Sequence, residues 1–282
     1  MLGDRALEFQ AQMNLGEVER QGGRFTEAGR RLQIALSMAH ARADRAGEGA
    51  ATAILALVRV DEGRSDDADR HYRQALEIGR EHRDTALQQS ALGGLAGLAY
   101  RAGRYGEAER RYRQAIRQGG EEPSINLAED LSGCVLAMAA RGKSDEDLIQ
   151  RLVDMSGVLG WDSPCARQLC QGAILLFDAN RRKEALEMQA LAIAAAMREL
   201  FVWLPAHEDL DEMPTTVLGE VVIWGSRWML GEDDYPELKS RLLDLVEDSL
   251  GLDEHTELLV DSLAAAEEVL TEGDPPPWDS RH

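Results

Sequence analysis

The stretch "GRYGEAERRYRQAI", residues 103–116, places small and aromatic residues at regular intervals along a charged segment. Gly103 is followed by Ala108, Tyr112 and Ala115. Because the last three are four and three residues apart, they lie on one face of an α-helix. The stretch therefore predicts a helix whose buried face has an aromatic ring between two small residues.

The same pattern occurs twice more, at intervals of 40 residues. Gly63 and Gly23 take the place of Gly103, and the string "YRQA" is identical at 72–75 and 112–115. The other matched positions are Tyr105 with Phe25, Ala108 with Ala68 and Ala28, Tyr112 with Tyr72 and Leu32, and Ala115 with Ala75 and Ala35. Three copies in register predict three stacked helical hairpins.

Glycine marks the predicted turn of each hairpin, because a residue that adopts positive φ without strain closes a helix efficiently. We expect a fourth hairpin to turn at Gly142 and a fifth at Asn180, since Asn tolerates positive φ better than most residues. In the fourth, Asp147 and Asp154 occupy the two alanine positions. In the fifth, both alanines return, as Ala185 and Ala192.

This spacing resembles the tetratricopeptide repeat, strongly over residues 10–120 and weakly to about residue 200. The first helices carry the large–small pair of that family at Leu15–Gly16, Leu55–Ala56 and Leu95–Ala96, but its Trp and closing Pro are missing. The 40-residue interval exceeds the family's usual ~34 and is similar to longer-period bacterial variants. HEAT repeats share such a period but lack this glycine–aromatic–alanine spacing. The resemblance implies an all-α, right-handed α-solenoid.

The composition predicts a different region after residue 200. Residues 1–200 form the predicted solenoid, clear at 10–120 and degenerate at 121–200, and 201–273 form an acidic helical cap. Proline, aspartate and glycine positions predict its helices at 214–230, 236–250 and 253–272. We expect the tail, 274–282, to be disordered.

Negative charge is concentrated at the C-terminal end of the chain. The net charge is +2 over residues 1–120, −5 over 121–200 and −17 over 201–282. An acidic end repels phosphate, which argues against nucleic-acid binding. It serves either as a solubilising cap or as a surface for a basic partner, and the sequence leaves both open.

Sequence signals for catalysis, metals and membranes are weak. The six histidines show no metal-ligand spacing, and we expect no cofactor. "HED" at 207–209 has acid–base groups, but such a triplet is more often plain surface. Cys134, Cys165 and Cys170 are predicted to be buried thiols in a cytoplasmic protein, and no apolar run is long enough to span a bilayer.

The candidate binding residues are those that the first helix of each hairpin turns toward the concave side. Three glycines within "ALGGLAGLAY", 91–100, each cost about 1 kcal/mol relative to alanine, so they mark either close packing or room for a ligand. Asp61 and Arg101 form either a structural ion pair or a ligand anchor. The predicted site consists of Ile54, Leu57, Val60, Asp61, Gly94, Gly97, Tyr100, Arg101, Leu136, Ile174 and Phe177.

An apolar groove on a solenoid predicts a non-enzymatic scaffold or adaptor that binds a peptide, a partner protein or an amphipathic helix. One alternative is a regulator that senses a peptide or another ligand. The other is a biosynthetic accessory protein or enzyme that uses the groove as a small-molecule pocket. The sequence does not predict the partner or the oligomeric state.

Overall fold

The computed structural model describes residues 2–160 and 162–203, where every regular element is an α-helix. The helices are α1 (Leu2–Gln21), α2 (Phe25–Ala41), α3 (Arg45–Asp61), α4 (Ser65–His82), α5 (Thr85–Arg101), α6 (Tyr105–Gly119), α7 (Ile125–Ala139), α8 (Glu146–Leu159), α9 (Asp162–Asp178) and α10 (Arg182–Trp203). They follow one another as packed pairs, which confirms the predicted all-α class of helical hairpins.

The chain divides into two compact units, Met1–Glu122 and Pro123–His282. The division lies beside the predicted change from clear to degenerate repeats at residue 120. Helix α10 continues past the predicted start of the acidic region at residue 201. The predicted C-terminal helices at 214–230, 236–250 and 253–272, the "HED" triplet and the tail lie outside the described residues.

Unit 1 is a stack of three hairpins, α1–α2, α3–α4 and α5–α6. The second helix of one hairpin packs on the first helix of the next, so α2 contacts α3 and α4 contacts α5. The first helices also contact one another, α1 with α3 and α3 with α5. They therefore form the inner layer of the stack, and α2, α4 and α6 form the outer layer.

The predicted turns are confirmed at all five positions. The backbone φ is +74° at Gly23 and Gly63, +71° at Gly103, +66° at Gly142 and +60° at Asn180. Two turns between hairpins also use positive φ, at Ala43 and Arg83, which the sequence did not predict because neither is Gly or Asn. Their side chains are exposed.

Small residues allow the paired helices of unit 1 to approach closely. Ala28, Ala68 and Ala108, which occupy the first alanine position of each repeat, are fully buried. In the second hairpin, Tyr72 fills the space beside Ala68 and is also buried, in a cluster with Ala68 and Ala75. The predicted arrangement of alanine contacts around a large wedge is therefore present.

Helix starts differ between the two layers. The Asp44 side chain accepts a hydrogen bond from the Gly47 backbone N–H at the start of α3, and Asp84 accepts one from Leu87 at the start of α5. Helices α2, α4 and α6 have an arginine at this position and no side-chain cap. Acidic residues in their first turns offset the positive end of the helix dipole.

Unit 2 contains two further hairpins, α7–α8 and α9–α10. In the first of them, α8 begins later in the chain than the repeat pattern predicts. Helix α8 starts at Glu146, with Asp145 as its cap, which moves the buried face two residues along the chain relative to the predicted repeat. Ile149, Val153 and Ser156 are buried, while Asp147 and Asp154 are exposed. The aspartates therefore do not replace the alanines, because this helix is shifted in register.

The three cysteines are buried and none forms a disulfide bond. Among the helices of the described ranges, none combines the length and apolarity that a membrane span requires. In the same ranges, no group of three or more His, Cys, Asp or Glu side chains is arranged to hold a metal ion.

Candidate binding surface

The inner surface of unit 1 contains the predicted residues of α3 as a shallow apolar strip. Ile54, Leu57 and Val60 are half-buried. Ile54 packs against the core between the first and second hairpins, and Leu57 and Val60 pack against the core between the second and third. The inner edges of these side chains stabilise the stack, and their remaining surface is open to a partner.

Gly94 is explained by close packing with an aromatic ring. A Cβ added at Gly94 would lie 2.2 Å from Cζ of Tyr72, which is far inside the contact distance of two carbon atoms. The Tyr72 ring thus lies directly on the backbone of α5. At this position close packing, rather than room for a ligand, accounts for the glycine.

Gly97, one turn further along α5, has space beside it. An added Cβ would meet only the Tyr112 hydroxyl oxygen, at an ordinary 3.5 Å, and Gly97 is half-buried. Tyr100 is also half-buried, and its ring lies 5.3 Å from the Tyr105 ring, centroid to centroid. Gly97 therefore leaves a small recess beside the Tyr112 hydroxyl of α6.

Asp61 does not pair with Arg101, which was one of the two predictions for these residues. The Asp61 carboxylate accepts a 2.7 Å hydrogen bond from Arg20 of α1, and Arg20 also pairs with Glu17. Arg101 is exposed, and no described carboxylate lies within ion-pair distance of it. The structure thus joins Asp61 to the first hairpin and gives Arg101, on the third, no acidic partner among the residues it describes.

These contacts change the proton affinities of three groups. Hydrogen bonding to Arg20 lowers the pKa of Glu17, and the same bond raises the pKa of Arg20 above its usual value. Burial, with a smaller contribution from neighbouring Tyr105, raises the pKa of the Tyr100 hydroxyl. Tyr100 is therefore a neutral hydrogen-bonding group near neutral pH, and the Glu17–Arg20 pair stays ionised.

The predicted site residues of unit 2 differ in how accessible they are. Leu136 is buried in the core, which removes it from any accessible surface of α7. Ile174 and Phe177 on α9 are half-buried, and the Arg182 guanidinium lies 5.4 Å from the centre of the Phe177 ring. Phe177 therefore has a cationic neighbour within unit 2.

Two cavities lie away from the predicted residues. One, of about 500 Å³, lies between α1 and α2 and is lined by Arg5, Glu8, Arg30, Gln33, Ile34, Ser37, Met38, Ala41 and Arg42. The other, of about 330 Å³, lies between α8 and α10. The sequence pattern predicted neither cavity, and it did not predict Tyr112 or Arg20 at the inner surface. The repeat alignment contained a signal for Arg20, since Arg20 is 40 residues before Val60.

Comparison with known proteins agrees with the hairpin geometry. Two tetratricopeptide-repeat models match the chain, at residues 7–81 and 91–124. No curated protein matches it. The chain resembles a crystal structure of BtubC (BKLC) from P. vanneervenii, with a TM-score of 0.50, 20% identity, and coverage of 97% of this chain and 96% of that one. It also resembles pilF of Pseudomonas aeruginosa, with a TM-score of 0.51, 18% identity, and coverage of 84% and 99%.

At these identities the solved structures inform the fold alone. The family models cover the three hairpins in which the glycine–aromatic–alanine spacing repeats. Tetratricopeptide repeats are typical of protein-interaction scaffolds, and the matches support that general class for this chain. Sequence, hairpin geometry and family matches agree that residues 7–81 and 91–124 are similar to tetratricopeptide repeats.

Proposed function

We propose that the protein is a scaffold that binds a peptide segment of a partner protein along the inner surface of unit 1. The observation that carries this proposal is the contrast between Gly94 and Gly97. Packing requires Gly94, because Tyr72 occupies the space of its side chain, whereas no comparable contact requires Gly97. A helix interior that retains glycine without a packing reason gives up about 1 kcal/mol of helix stability, which a binding role would offset.

The recess at Gly97 defines the kind of segment that fits. The Tyr112 hydroxyl borders it, the half-buried Tyr100 follows one turn further along α5, and the apolar strip of Leu57 and Val60 lies on the neighbouring helix α3. Arg101, at the end of the same helix, is exposed. These groups suit a segment with one apolar side chain for the recess and an acidic group for Arg101.

The test compares partner capture by wild type, Gly97→Leu and Glu77→Leu. Gly97→Leu fills the recess, while Glu77→Leu introduces the same side chain at an exposed site on the outer helix α4. We expect proteins that wild type and Glu77→Leu both retain to be lost with Gly97→Leu. Circular dichroism and thermal unfolding check the fold, and leucine's higher helix propensity argues against unfolding as the cause. Equal capture by all three proteins would contradict the proposal.

The small-molecule pocket and the peptide sensor are alternative hypotheses. A small-molecule pocket needs an enclosed cavity lined by the inner-surface residues, and the two cavities at α1–α2 and α8–α10 contain none of them. A peptide sensor needs a change of shape on binding. Hydrogen exchange of wild type with and without its partner distinguishes the scaffold from the sensor. If Gly97→Leu loses capture and binding to wild type changes exchange only in α3 and α5, the scaffold is favoured.

A further inference from the structure

Helix α1 carries an apolar stripe of Leu7, Ala11, Leu15 and Val18. The spacings of four, four and three residues place them on one face of the helix. Leu7 is 72% exposed, Leu15 43% and Val18 58%, and Ala11 is also exposed. No described residue buries this stripe, so unit 1 presents an unpartnered apolar face at its first hairpin.

The repeat shows what this face does elsewhere in unit 1. The residues 40 and 80 positions after the stripe are all buried. They are Gly47, Ala51, Leu55 and Val58 of α3, and Leu87, Ala91, Leu95 and Leu98 of α5. Ala51, Leu55 and Val58 share a core with Leu32, Ala35 and Leu36 of α2. Helix α5 packs on α4 in the same way. The α1 stripe therefore continues a stacking interface that the molecule already uses twice.

The occupied interfaces define the helix that would fit. The preceding helix contributes a leucine followed three residues later by a small residue, Leu36 and Ala39 in α2 or Leu76 and Gly79 in α4. At Gly79 the helices approach so closely that an added Cβ would lie 3.2 Å from the Gln88 backbone nitrogen. A larger residue at this position would hold the two helices apart.

At each occupied interface, the last turn of the preceding helix contacts a polar residue near the start of the following helix, always at the same repeat position. In α3 this residue is Glu48, whose carboxylate lies 3.6 Å from Nδ1 of His40 in the last turn of α2. In α5 it is Gln88, which donates a 3.0 Å hydrogen bond to the Gly79 carbonyl of α4. The corresponding residue of α1 is Glu8, an exposed carboxylate that favours a basic last turn in the incoming helix.

We propose that the α1 stripe is a second interaction surface, which binds an amphipathic helix of a partner protein. This helix carries leucine and a small residue three positions apart on its buried face and has a basic last turn. A second copy of the chain fits less well, because its α2 and α4 already bury this face against α3 and α5, and Ile116, at the corresponding position of α6, is buried as well. Its α1 has Val18 three residues after Leu15, where the interface needs a small residue.

The probe for this surface is a synthetic peptide of residues 64–84, which comprises α4 with its flanks. A short peptide is only partly helical in water, so a hydrocarbon staple replaces Arg73 and Glu77, four residues apart and exposed in the protein. Leu76, Gly79 and the basic last turn with Arg80 and His82 are retained. Fluorescence anisotropy measures binding to the full chain, and hydrogen exchange locates the bound site.

We expect saturable binding that slows amide exchange in α1. Leu15→Arg places a charge at the centre of the stripe and should weaken binding at least about tenfold. The matched control, Asn14→Arg, adds the same charge at the adjacent exposed residue and should change binding less than about twofold. A peptide carrying Leu76→Arg should lose affinity for wild type to the same extent as Leu15→Arg does.

Four outcomes would overturn the proposal. The first is the absence of saturable binding to wild type, and the second is equal weakening by Leu15→Arg and Asn14→Arg. The third is slowed exchange in α5 instead of α1, which would mean that the peptide displaces α4 from its own site. The fourth is self-association of wild type that Leu15→Arg abolishes and Asn14→Arg preserves, measured by light scattering, which would make the occupant a second copy.

Discussion

At the residue scale, two glycines one turn apart in α5 have different physical roles. Tyr72 fills the space next to Gly94, and the space next to Gly97 is open as far as the Tyr112 hydroxyl. Identical residues on one helical face therefore serve packing in one case and accessibility in the other. The helix propensity of glycine is the same at both positions, so only the neighbours distinguish them.

This contrast predicts opposite effects of the same substitution. Gly94→Ala should lower the free energy of unfolding by about 1–3 kcal/mol, because the buried Tyr72 ring has to move. Gly97→Ala should raise it by about 1 kcal/mol, because alanine favours the helix and its Cβ meets no close contact. Urea unfolding measures both, and a destabilised Gly97→Ala would show that the recess is structurally required.

His71 predicts a pH dependence of stability. Burial, followed by the positive charge of Arg59, lowers the pKa of His71 below its usual 6.5. Below 6.5 the unfolded chain takes up a proton that the folded chain resists. The contribution of neutral His71 is therefore fully present above 6.5 and is lost as the pH falls through the folded pKa.

His71→Gln should reduce the loss of stability between about pH 7.5 and about pH 5, because glutamine does not titrate. Urea unfolding of wild type and variant at both pH values measures the difference. The Glu17 carboxylate has its lowered pKa in a more acidic range, below 4.5, so it does not interfere. An unchanged pH dependence in His71→Gln would assign the effect to other groups.

At the element scale, the two helix layers of unit 1 start by different means. The first helices α3 and α5 have aspartate caps, whereas the second helices follow an arginine and depend on acidic first turns and tertiary packing. Turn length does not explain this difference, because each kind of turn leaves a single residue between its positive-φ position and the next helix, Arg64 after Gly63 and Asp84 after Arg83.

Removal of these starting residues should have unequal effects. Asp84→Ala should cost about 1 kcal/mol, because the Leu87 N–H loses its acceptor. Arg64→Ala should cost less than about 0.5 kcal/mol, because the Arg64 side chain only forms exposed ion pairs with Glu62 and Asp67. Thermal unfolding compares the two variants, and equal destabilisation would mean that the arginine position acts as a cap as well.

The α1 stripe also belongs to the element scale, since its residues differ from those of α3 and α5 in surroundings and not in type. Leu15, Leu55 and Leu95 occupy one repeat position, and only Leu15 is exposed. Helix α1 has the same apolar face as α3 and α5, but no described helix packs against it. The residues of this face are therefore exposed in α1 and buried in α3 and α5. This comparison within one chain is the basis of the second interaction surface.

At the scale of the whole molecule, each of the two units has its own core. Residues 120–123 connect them as exposed chain between the end of α6 and the start of α7. Glu121 and Glu122 lie in this connection, while the other glutamates of the described ranges lie in helices or, as Glu62, in a hairpin turn. Exposed irregular chain fits a protease active site more readily than a helix does.

A glutamate-specific protease should therefore cut first after Glu121, among all cuts within residues 2–203, because Pro123 protects the bond after Glu122. The fragment of residues 1–121 should keep its helical circular dichroism and unfold cooperatively, because three hairpins with two buried cores support one another. Mass spectrometry identifies the fragments. Earlier cleavage inside α1–α6, or an unfolded fragment 1–121, would contradict the independence of unit 1.

A local sequence pattern was enough to predict the hairpins and the positions where they turn. The five predicted turns depend on local backbone sterics, which Gly or Asn satisfies in any surroundings, and the alanine and aromatic spacing depends on the period of the helix. Both are properties of short segments. They therefore appear directly in a pattern such as "GRYGEAERRYRQAI".

Which residues of that pattern are open to a partner became apparent only from the packing of the hairpins. This packing pairs Asp61 with Arg20, buries Leu136, places Tyr72 against Gly94 and leaves Leu15 exposed. The physical reason is that burial and pairing depend on what the neighbouring hairpin contributes. The repeat interval assigns each residue to a face of its helix, but contacts between hairpins determine whether that face is core or surface.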